Sequence, residues 1–346
     1  MREIVDEVLD LLDRAQPFSL VTLVAERGST PRAAGAQMLV RSDGSIAGTI
    51  GGGLIEATMM QQAAEAIGVQ RSRVVDMALS GKSVDDDEML CGGSAEVLVA
   101  YVEPGDPALR EVVAGVKSVV EDGRRAWLYM FFAGDIDEAE VSCCLLGEDG
   151  ETVGTAPCAA ADLRALVGKI GVHGSAILPD GRQVHVEPIE PATLAIICGA
   201  GHVARALAPA AEAAGFPAVV LDDRPEYASR DRFPTAARIE VIESFEDPFR
   251  DVEVTEHSFV VIVTRGHRHD YAALLRALQS PARYVGLMSS RAKRKRIDAA
   301  LAEAGIPAER IAQIHSPVGL SIGAETPAEL AVSIVAEMIK VRAGLE

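Results

Sequence analysis

Residues 3 to 14 place Val5, Val8, Leu9, Leu11 and Leu12 at helical spacing, so the chain opens on a predicted amphipathic helix. The pattern then changes. Phe18 to Ala25 is rich in β-formers, Gln37–Arg41 and Ile46–Ile50 follow, and Asp43-Gly44 between them has the residues of a hairpin turn. Gly51-Gly52-Gly53 stands immediately before Leu54–Ile67, which reads as a helix. A strand near Ser72–Leu79, an acidic loop and a strand from Glu96 to Tyr101 complete a first α/β unit. Residues 105 to 190 carry a further helix, Ala108–Val120, and strands that include Trp127–Phe132 and Val141–Leu146, with turns at Asp149-Gly150 and Asp180-Gly181. No flexible linker separates this stretch from the first. Residues 1–190 are therefore expected to form one α/β domain, a core over 10–102 with a strand-rich extension. Its end is marked by Pro188-Ile189-Glu190-Pro191, because paired prolines disfavour regular structure.

From 194 onward apolar runs near 194–198, 217–221, 238–242, 258–263, 282–287 and 311–314 alternate with helical patterns. Such alternation predicts a doubly wound parallel sheet with helices on both faces over residues 191–346. Thr326-Pro327-Ala328-Glu329 has the residues of a capping box at the start of the last helix.

Within that second half, the segment from Leu194 to Ala204 reads as strand, glycine turn and helix start, and Asp222 follows about 20 residues later, the order of a dinucleotide fingerprint. Gly199 would form the tight turn, Gly201 would let a pyrophosphate approach the backbone, and Ala204 would pack helix on strand. The phosphates would sit on the helix beginning near His202, where unpaired N–H groups favour an anion. Asp222 suits the ribose hydroxyls of NAD, while Arg224 suits the 2′-phosphate of NADP; the sequence leaves both open.

Composition narrows the function classes. The 346 residues are 49% hydrophobic without a low-complexity run, enough for two domains with their own cores. A net charge of −18 argues against a nucleic-acid binder, since a polyanion would be repelled. No apolar run approaches the about 20 residues of a membrane span, and the first residues do not form a signal peptide, so no membrane and a cytoplasmic location are expected. Five cysteines without a CxxC pair suggest thiols and neither disulfides nor structural zinc.

Several segments, in order through both halves, carry a resemblance. These are Gly28-Ser29-Thr30-Pro31-Arg32 with Gly35, Gly48-Thr49-Ile50-Gly51-Gly52-Gly53 with Glu56, and Cys91-Gly92-Gly93. They continue with Gly199-Ala200-Gly201-His202-Val203, Asp222-Asp223-Arg224, Thr264-Arg265-Gly266-His267 with Asp270, Gly286-Leu287-Met288-Ser289-Ser290-Arg291, and Gly323-Ala324-Glu325-Thr326-Pro327. Together they resemble the XdhC/CoxI family, accessory proteins of molybdenum-cofactor hydroxylases such as xanthine dehydrogenase. The resemblance implies a protein that binds molybdenum cofactor (molybdopterin), supports its sulfuration with a cysteine desulfurase and delivers it to the apo-hydroxylase. It also implies a homodimer. Some members of the CoxI type have a cysteine in the glycine-rich loop, where this chain reads Gly52-Gly53-Leu54, so a thiol role in that loop is absent here.

A carrier of such a cofactor should offer a phosphate cradle, a cation and a thiolate. Gly51, Gly52 and Gly53 with Glu56 are the candidate cradle, Arg32 the cation and Cys91 the thiol, its neighbouring glycines permitting close approach. The same residues also describe a tight turn, a surface arginine and a turn cysteine. Cys143, Cys144, Cys158 and Cys198 lie in apolar or helical contexts and read as structural. In the second half, Arg265, His267 and Asp270 fall at the carboxyl end of the sheet, where they contact a ligand or pin the loop. Arg291, Lys293, Arg294, Lys295 and Arg296 read either as a solvated basic face or as a basic helix start of which some members meet a cofactor phosphate or an acidic partner surface. Two alternatives remain: an NAD(P)-dependent oxidoreductase, for which only His267 and Glu325 offer acid–base chemistry, and a nucleotide-sensing regulatory module.

Overall fold

The structure, a computed structural model, describes residues 1–30, 32–80, 90–134, 138–170 and 174–345. The chain divides into two compact units, Met1–Pro191 and Ala192–Glu346.

The first unit runs α1 (Val5–Asp13), β1 (Phe18–Arg27), β2 (Gln37–Arg41), β3 (Ile46–Gly48), α2 (Gly53–Val69), β4 (Arg73–Ser80) and β5 (Leu90–Val102). It continues through α3 (Pro107–Glu121), β6 (Ala126–Gly134), β7 (Ala139–Gly147), β8 (Thr152–Gly154), α4 (Ala160–Ile170), β9 (Gly174–Ile177) and β10 (Gln183–Ile189). Two five-stranded sheets result, ordered β3-β2-β1-β5-β4 and β8-β7-β6-β10-β9. Because successive residues of a strand face opposite sides, the apolar run of β1 supplies both faces of its sheet. Val21 and Leu23 pack with Ile55, Met59 and Ala63 of α2, while Leu20 and Val24 join the core of α1 and α3. β5 begins six residues earlier than the pattern from Glu96 predicts. Cys91-Gly92-Gly93 therefore belongs to a strand: backbone pairing to β4 at Ser80↔Leu90 and to β1 at Arg27↔Ser94 continues where side chains give no β signal.

The second unit comprises β11 (Leu194–Cys198), α5 (His202–Ala213), β12 (Ala218–Asp222), β13 (Arg238–Val241), β14 (Ser258–Ile262), α6 (His267–Gln279), β15 (Tyr284–Leu287), α7 (Arg291–Glu303), α8 (Ala308–Ala312) and α9 (Pro327–Arg342). Its sheet is parallel throughout, in the order β13-β12-β11-β14-β15. Residues of α5 and α9 cover one face and residues of α6 and α7 the other, the doubly wound arrangement that the alternation predicts. The capping box at Thr326 and Glu329 forms as read. One expected strand is replaced. Ile311 and Ala312 of the expected 311–314 strand end the short helix α8, whose Ala308, Glu309 and Arg310 follow the N-cap Pro307, and Ile314 comes after its C-cap Gln313, both isoleucines packing on the core of the α6 and α7 face. Only His315 reaches the sheet, as a single bridge to Gly286, its carbonyl accepting from Leu287 and its N–H donating to Val285. Leu287's own carbonyl accepts from Val318.

Candidate functional site

In the first unit, the segments singled out by sequence leave one end of the β3-β2-β1-β5-β4 sheet. The registers Met38↔Gly48 and Arg27↔Ser94 put the loop after β1, the glycine turn after β3 and the start of β5 there together. Gly93 shows how tightly two of them meet: a Cβ at this position would lie 2.5 Å from the Ser29 carbonyl oxygen and 2.6 Å from that of Arg27. Thr30 stiffens the loop, its hydroxyl 2.7 Å from Glu26 Oε2 and 2.9 Å from the Arg32 carbonyl oxygen. The Arg32 side chain is exposed. Gly51, Gly52 and Gly53 all have positive φ, at 131°, 72° and 60°, a run that L side chains would resist. A Cβ on Gly52 or Gly53 would meet nothing, so those positions face open space. Glu56 folds back onto this turn. Its Oε2 accepts the Thr49 hydroxyl at 2.5 Å and the Gly52 N–H at 3.3 Å, while the Gly51 N–H donates to the Thr49 hydroxyl oxygen at 3.2 Å. A carboxylate at the first turn of α2 also suits the positive end of the helix. Cys91 has its backbone in β5, but its side chain and the acidic residues 85–88 lie outside the described residues.

In the second unit, the glycine turn after β11 and the loop after β14 flank the point at which the strand order reverses. Gly199 has φ 109°, and a Cβ there would lie 2.6 Å from the Val263 carbonyl oxygen, so packing on the neighbouring strand demands this glycine. Gly201 differs: its φ is −75° and a Cβ would meet nothing. Asp222, 1% exposed, does not wait for a ligand. Its Oδ2 accepts the Ala200 N–H at 2.8 Å and Arg224 Nη2 at 3.0 Å, while Oδ1 accepts Arg224 Nε at 2.8 Å and the Arg224 N–H at 3.1 Å. The Arg224 guanidinium lies over the Tyr227 ring at 3.6 Å. Arg265 pairs with Asp223 through both guanidinium nitrogens, Nη2 to Oδ2 at 2.8 Å, and this bond holds the Asp223 carboxyl down at about 2. Arg232 Nη2 donates to the Ala200 carbonyl at 3.1 Å. Tyr227 and Arg232 have no signature in the fingerprint; only the distance of a few residues after Asp222 places them near it.

The remaining predicted residues divide. Asp270 is 2% exposed and pins the loop, accepting the Thr264 hydroxyl at 2.6 Å and pairing with Lys293 Nζ. Arg294 reaches Asp298 and the carbonyls of Ile311 and Ile314. These two cations are structural, which corrects the reading of the basic run as one solvated face: each has a buried or backbone partner in a neighbouring element. His267 is exposed at the start of α6 and lines a cavity of about 490 Å³ with Tyr271, Lys293, Arg296 and Ile297. His202 and Glu325 are exposed, and Glu325 presents its backbone N–H to Glu329. Burial pushes the Cys198 thiol up to about 12, as its place in the β11 core requires. Among the described residues there is no group of three or more metal-ligating side chains, and no helix is long and apolar enough to cross a membrane.

Comparison with known proteins gives this geometry a family. Residues 195–338 match the XdhC Rossmann domain and residues 11–77 match the XdhC and CoxI family, together more than half of the chain. The protein belongs to that family. The chain is 29% identical over 338 residues to a probable xanthine dehydrogenase subunit from Bacillus subtilis (strain 168), covering 96% of this chain and 95% of that one. It is 28% identical over 336 residues to the uncharacterized protein YqeB of Escherichia coli (strain K12), but that match spans only 46% of the longer protein. A shorter match, 37% over 90 residues, covers 26% of this chain and 28% of the molybdenum cofactor insertion chaperone PaoD of Escherichia coli (strain K12). Among solved structures, the crystal structure of a xanthine dehydrogenase from Bacillus halodurans superposes with a TM-score of 0.82 at 27% identity, over 99% of this chain and 96% of that chain.

Proposed function

We propose that this protein is an accessory factor that binds molybdenum cofactor in its first unit, holds it while a cysteine desulfurase supplies sulfur, and passes it to a molybdenum hydroxylase such as a xanthine dehydrogenase. The observation that carries this reading is the meeting of the Arg27–Arg32 loop, the Gly51–Gly53 turn and the start of β5 at one end of a sheet. The relatives named for xanthine dehydrogenase and for cofactor insertion support it. When bound, the cofactor brings a phosphate, a dithiolene and a soft metal to that end. Gly52 and Gly53, open to space and without side chains, fit a phosphate approaching backbone N–H groups. Such a phosphate takes the place that the Glu56 carboxylate now occupies on Gly52, one anion replacing another. Arg32 supplies the cation, and Cys91 is the thiol available to a soft metal or to sulfur. The second unit serves as a nucleotide domain for NAD or NADP, with Gly201 giving the open approach and the ends of β12 and β14 the flanking groups. The protein works in the cytoplasm, as a homodimer.

Cofactor content decides the reading. Protein purified from its own host is expected to carry pterin and molybdenum, and Cys91→Ser is expected to lose cofactor on desalting and to activate apo-hydroxylase less well, while Cys158→Ser behaves as wild type. Absence of pterin and molybdenum from wild-type protein would overturn the proposal. Full retention and activation by Cys91→Ser would remove the thiol and leave Arg32 and the glycine turn.

A further inference from the structure

We infer that the nucleotide taken by the second unit is one with a 2′-phosphate on its adenosine ribose, NADP in preference to NAD, and that Arg224 selects it. This inference rests on the nucleotide reading of that unit given above. The argument begins with Asp222. In the dinucleotide fingerprint the acid after the second strand accepts the ribose hydroxyls, which requires a lone pair free to receive them. A carboxylate has about four acceptor sites, two on each oxygen. Here all four are filled: Oδ1 by the Arg224 N–H and Nε, Oδ2 by the Ala200 N–H and Arg224 Nη2, at 2.8 to 3.1 Å. The acid is buried as well, 1% exposed. Its work is internal. It fastens the glycine turn to the end of β12 and holds the arginine in a forked pair.

Arg224 is what this arrangement presents instead. The guanidinium commits Nε and one N–H of Nη2 to Asp222, whereas Nη1 makes no hydrogen bond among the described residues. Its side chain is 25% exposed, so that edge is open to solvent. One face of the guanidinium is covered by Tyr227 at 3.6 Å. Fixed by fork and ring together, the group loses little further freedom on meeting an anion, and its planar N–H edge matches a phosphate. The neighbouring carboxylate does not oppose that anion with a free charge, because Asp223 is tied to Arg265 through both nitrogens. The residues of the turn are thus arranged against a bare hydroxyl and toward a phosphate ester.

The test is calorimetric titration of the full chain with NADP⁺, NAD⁺ and adenosine 2′,5′-bisphosphate. NADP⁺ is expected to bind at least about tenfold more tightly than NAD⁺, the size of one set of hydrogen bonds to a charged group. The bisphosphate is expected to bind and to compete with NADP⁺. Arg224→Gln should abolish the preference, bringing the ratio of the NADP⁺ and NAD⁺ affinities to about one by weakening NADP⁺ and by freeing two acceptor sites of Asp222 for the ribose hydroxyls, and Arg224→Lys should restore part of the preference while keeping a cation beside Asp222. NAD⁺ binding as tightly as NADP⁺ to the wild-type chain, or Arg224→Gln weakening both dinucleotides equally, overturns the inference and leaves a nucleotide domain in place. Absence of binding by all three probes overturns both.

Discussion

Each unit folds a carboxylate back onto its own glycine turn, and the two carboxylates are held in opposite ways. Glu56 lies in the first turn of α2 and takes one hydroxyl and one long N–H contact, with no cation paired to it among the described residues. Asp222 is buried, filled by four donors and locked in a fork with Arg224. The glycines follow the same division. Gly52 and Gly53 are required by backbone conformation alone, with empty space where a side chain would stand, whereas Gly199 is required by the carbonyl of Val263 packed against it. A turn whose anion has two donors and no paired cation exchanges that anion for a ligand more readily than one whose anion is buried under four donors. A turn held by a saturated, buried one is scaffold, and leaves recognition to whatever the acid positions.

The sharpest way to break this comparison is to remove the two acids in turn. Asp222→Ala leaves Arg224 and the Ala200 N–H without their partner in a buried setting and is expected to lower the stability of the second unit by about 3 to 5 kcal/mol, read by urea unfolding followed through a probe in that unit. Glu56→Ala should cost the first unit less than about 1 kcal/mol, read by urea unfolding followed through a probe in that first unit. Equal losses would dissolve the distinction.

Gly199→Ala should follow in size. It combines a positive φ with a Cβ at 2.6 Å from backbone, and a loss of about 3 kcal/mol is expected, against about 1 to 2 kcal/mol for Gly52→Ala, where only the conformation resists. Thermal unfolding of the two variants should order them accordingly. A milder effect at Gly199 than at Gly52 would mean that the packing against Val263 yields easily.

Acid titration probes the Asp223–Arg265 pair. The folded carboxyl titrates near 2 and the unfolded one near its ordinary 3.8, so the pair's contribution is fully present above about pH 4 and is lost as pH falls toward 2. Up to about 2 kcal/mol is involved. Asp223→Asn should flatten the stability curve over that window, and an unchanged slope would show that the pair does not hold in solution. The smallest expected effect belongs to Glu56→Gln. It keeps an acceptor for Thr49 and Gly52, removes a charge worth about 0.3 to 1 kcal/mol at a helix start, and should raise the affinity of the first unit for inorganic phosphate, measured by competition titration. Weaker phosphate binding in that variant would show that Glu56 organises the cradle and does not compete with it.

Much of the second unit was readable from the chain because four of its five strands, all but the edge strand β13, are apolar runs buried on both faces, and glycine turns punctuate them. The exceptions have physical causes. Ile311 and Ile314 look like a sixth strand, but Ala308, Glu309 and Arg310 after Pro307 favour a helix, and only His315 joins the sheet. β5 starts at Leu90 because its backbone pairs there with Ser80 of β4 and, from Ser94, with β1 as well, and no β-forming side chain between them announces it. The site was legible in its parts and not in their partners. Asp222 and Arg224 could be marked as rival specificity residues, but that the first saturates itself on the second depends on side-chain geometry that spacing does not encode. The same holds for Lys293, whose partner Asp270 lies 23 positions earlier on a different helix.

The bridge made by His315 bears on how this protein behaves in a crowded solution. A parallel sheet that ends at β15 exposes an edge, and an edge with free N–H and C=O groups is a template on which a foreign strand can grow. Here His315 takes the Val285 carbonyl and the Leu287 N–H, and Val318 takes the Leu287 carbonyl. One residue and the turn after it thus do the protective work of a whole strand. Three of the edge groups that a foreign strand would need are thereby taken, without a further crossover in the fold.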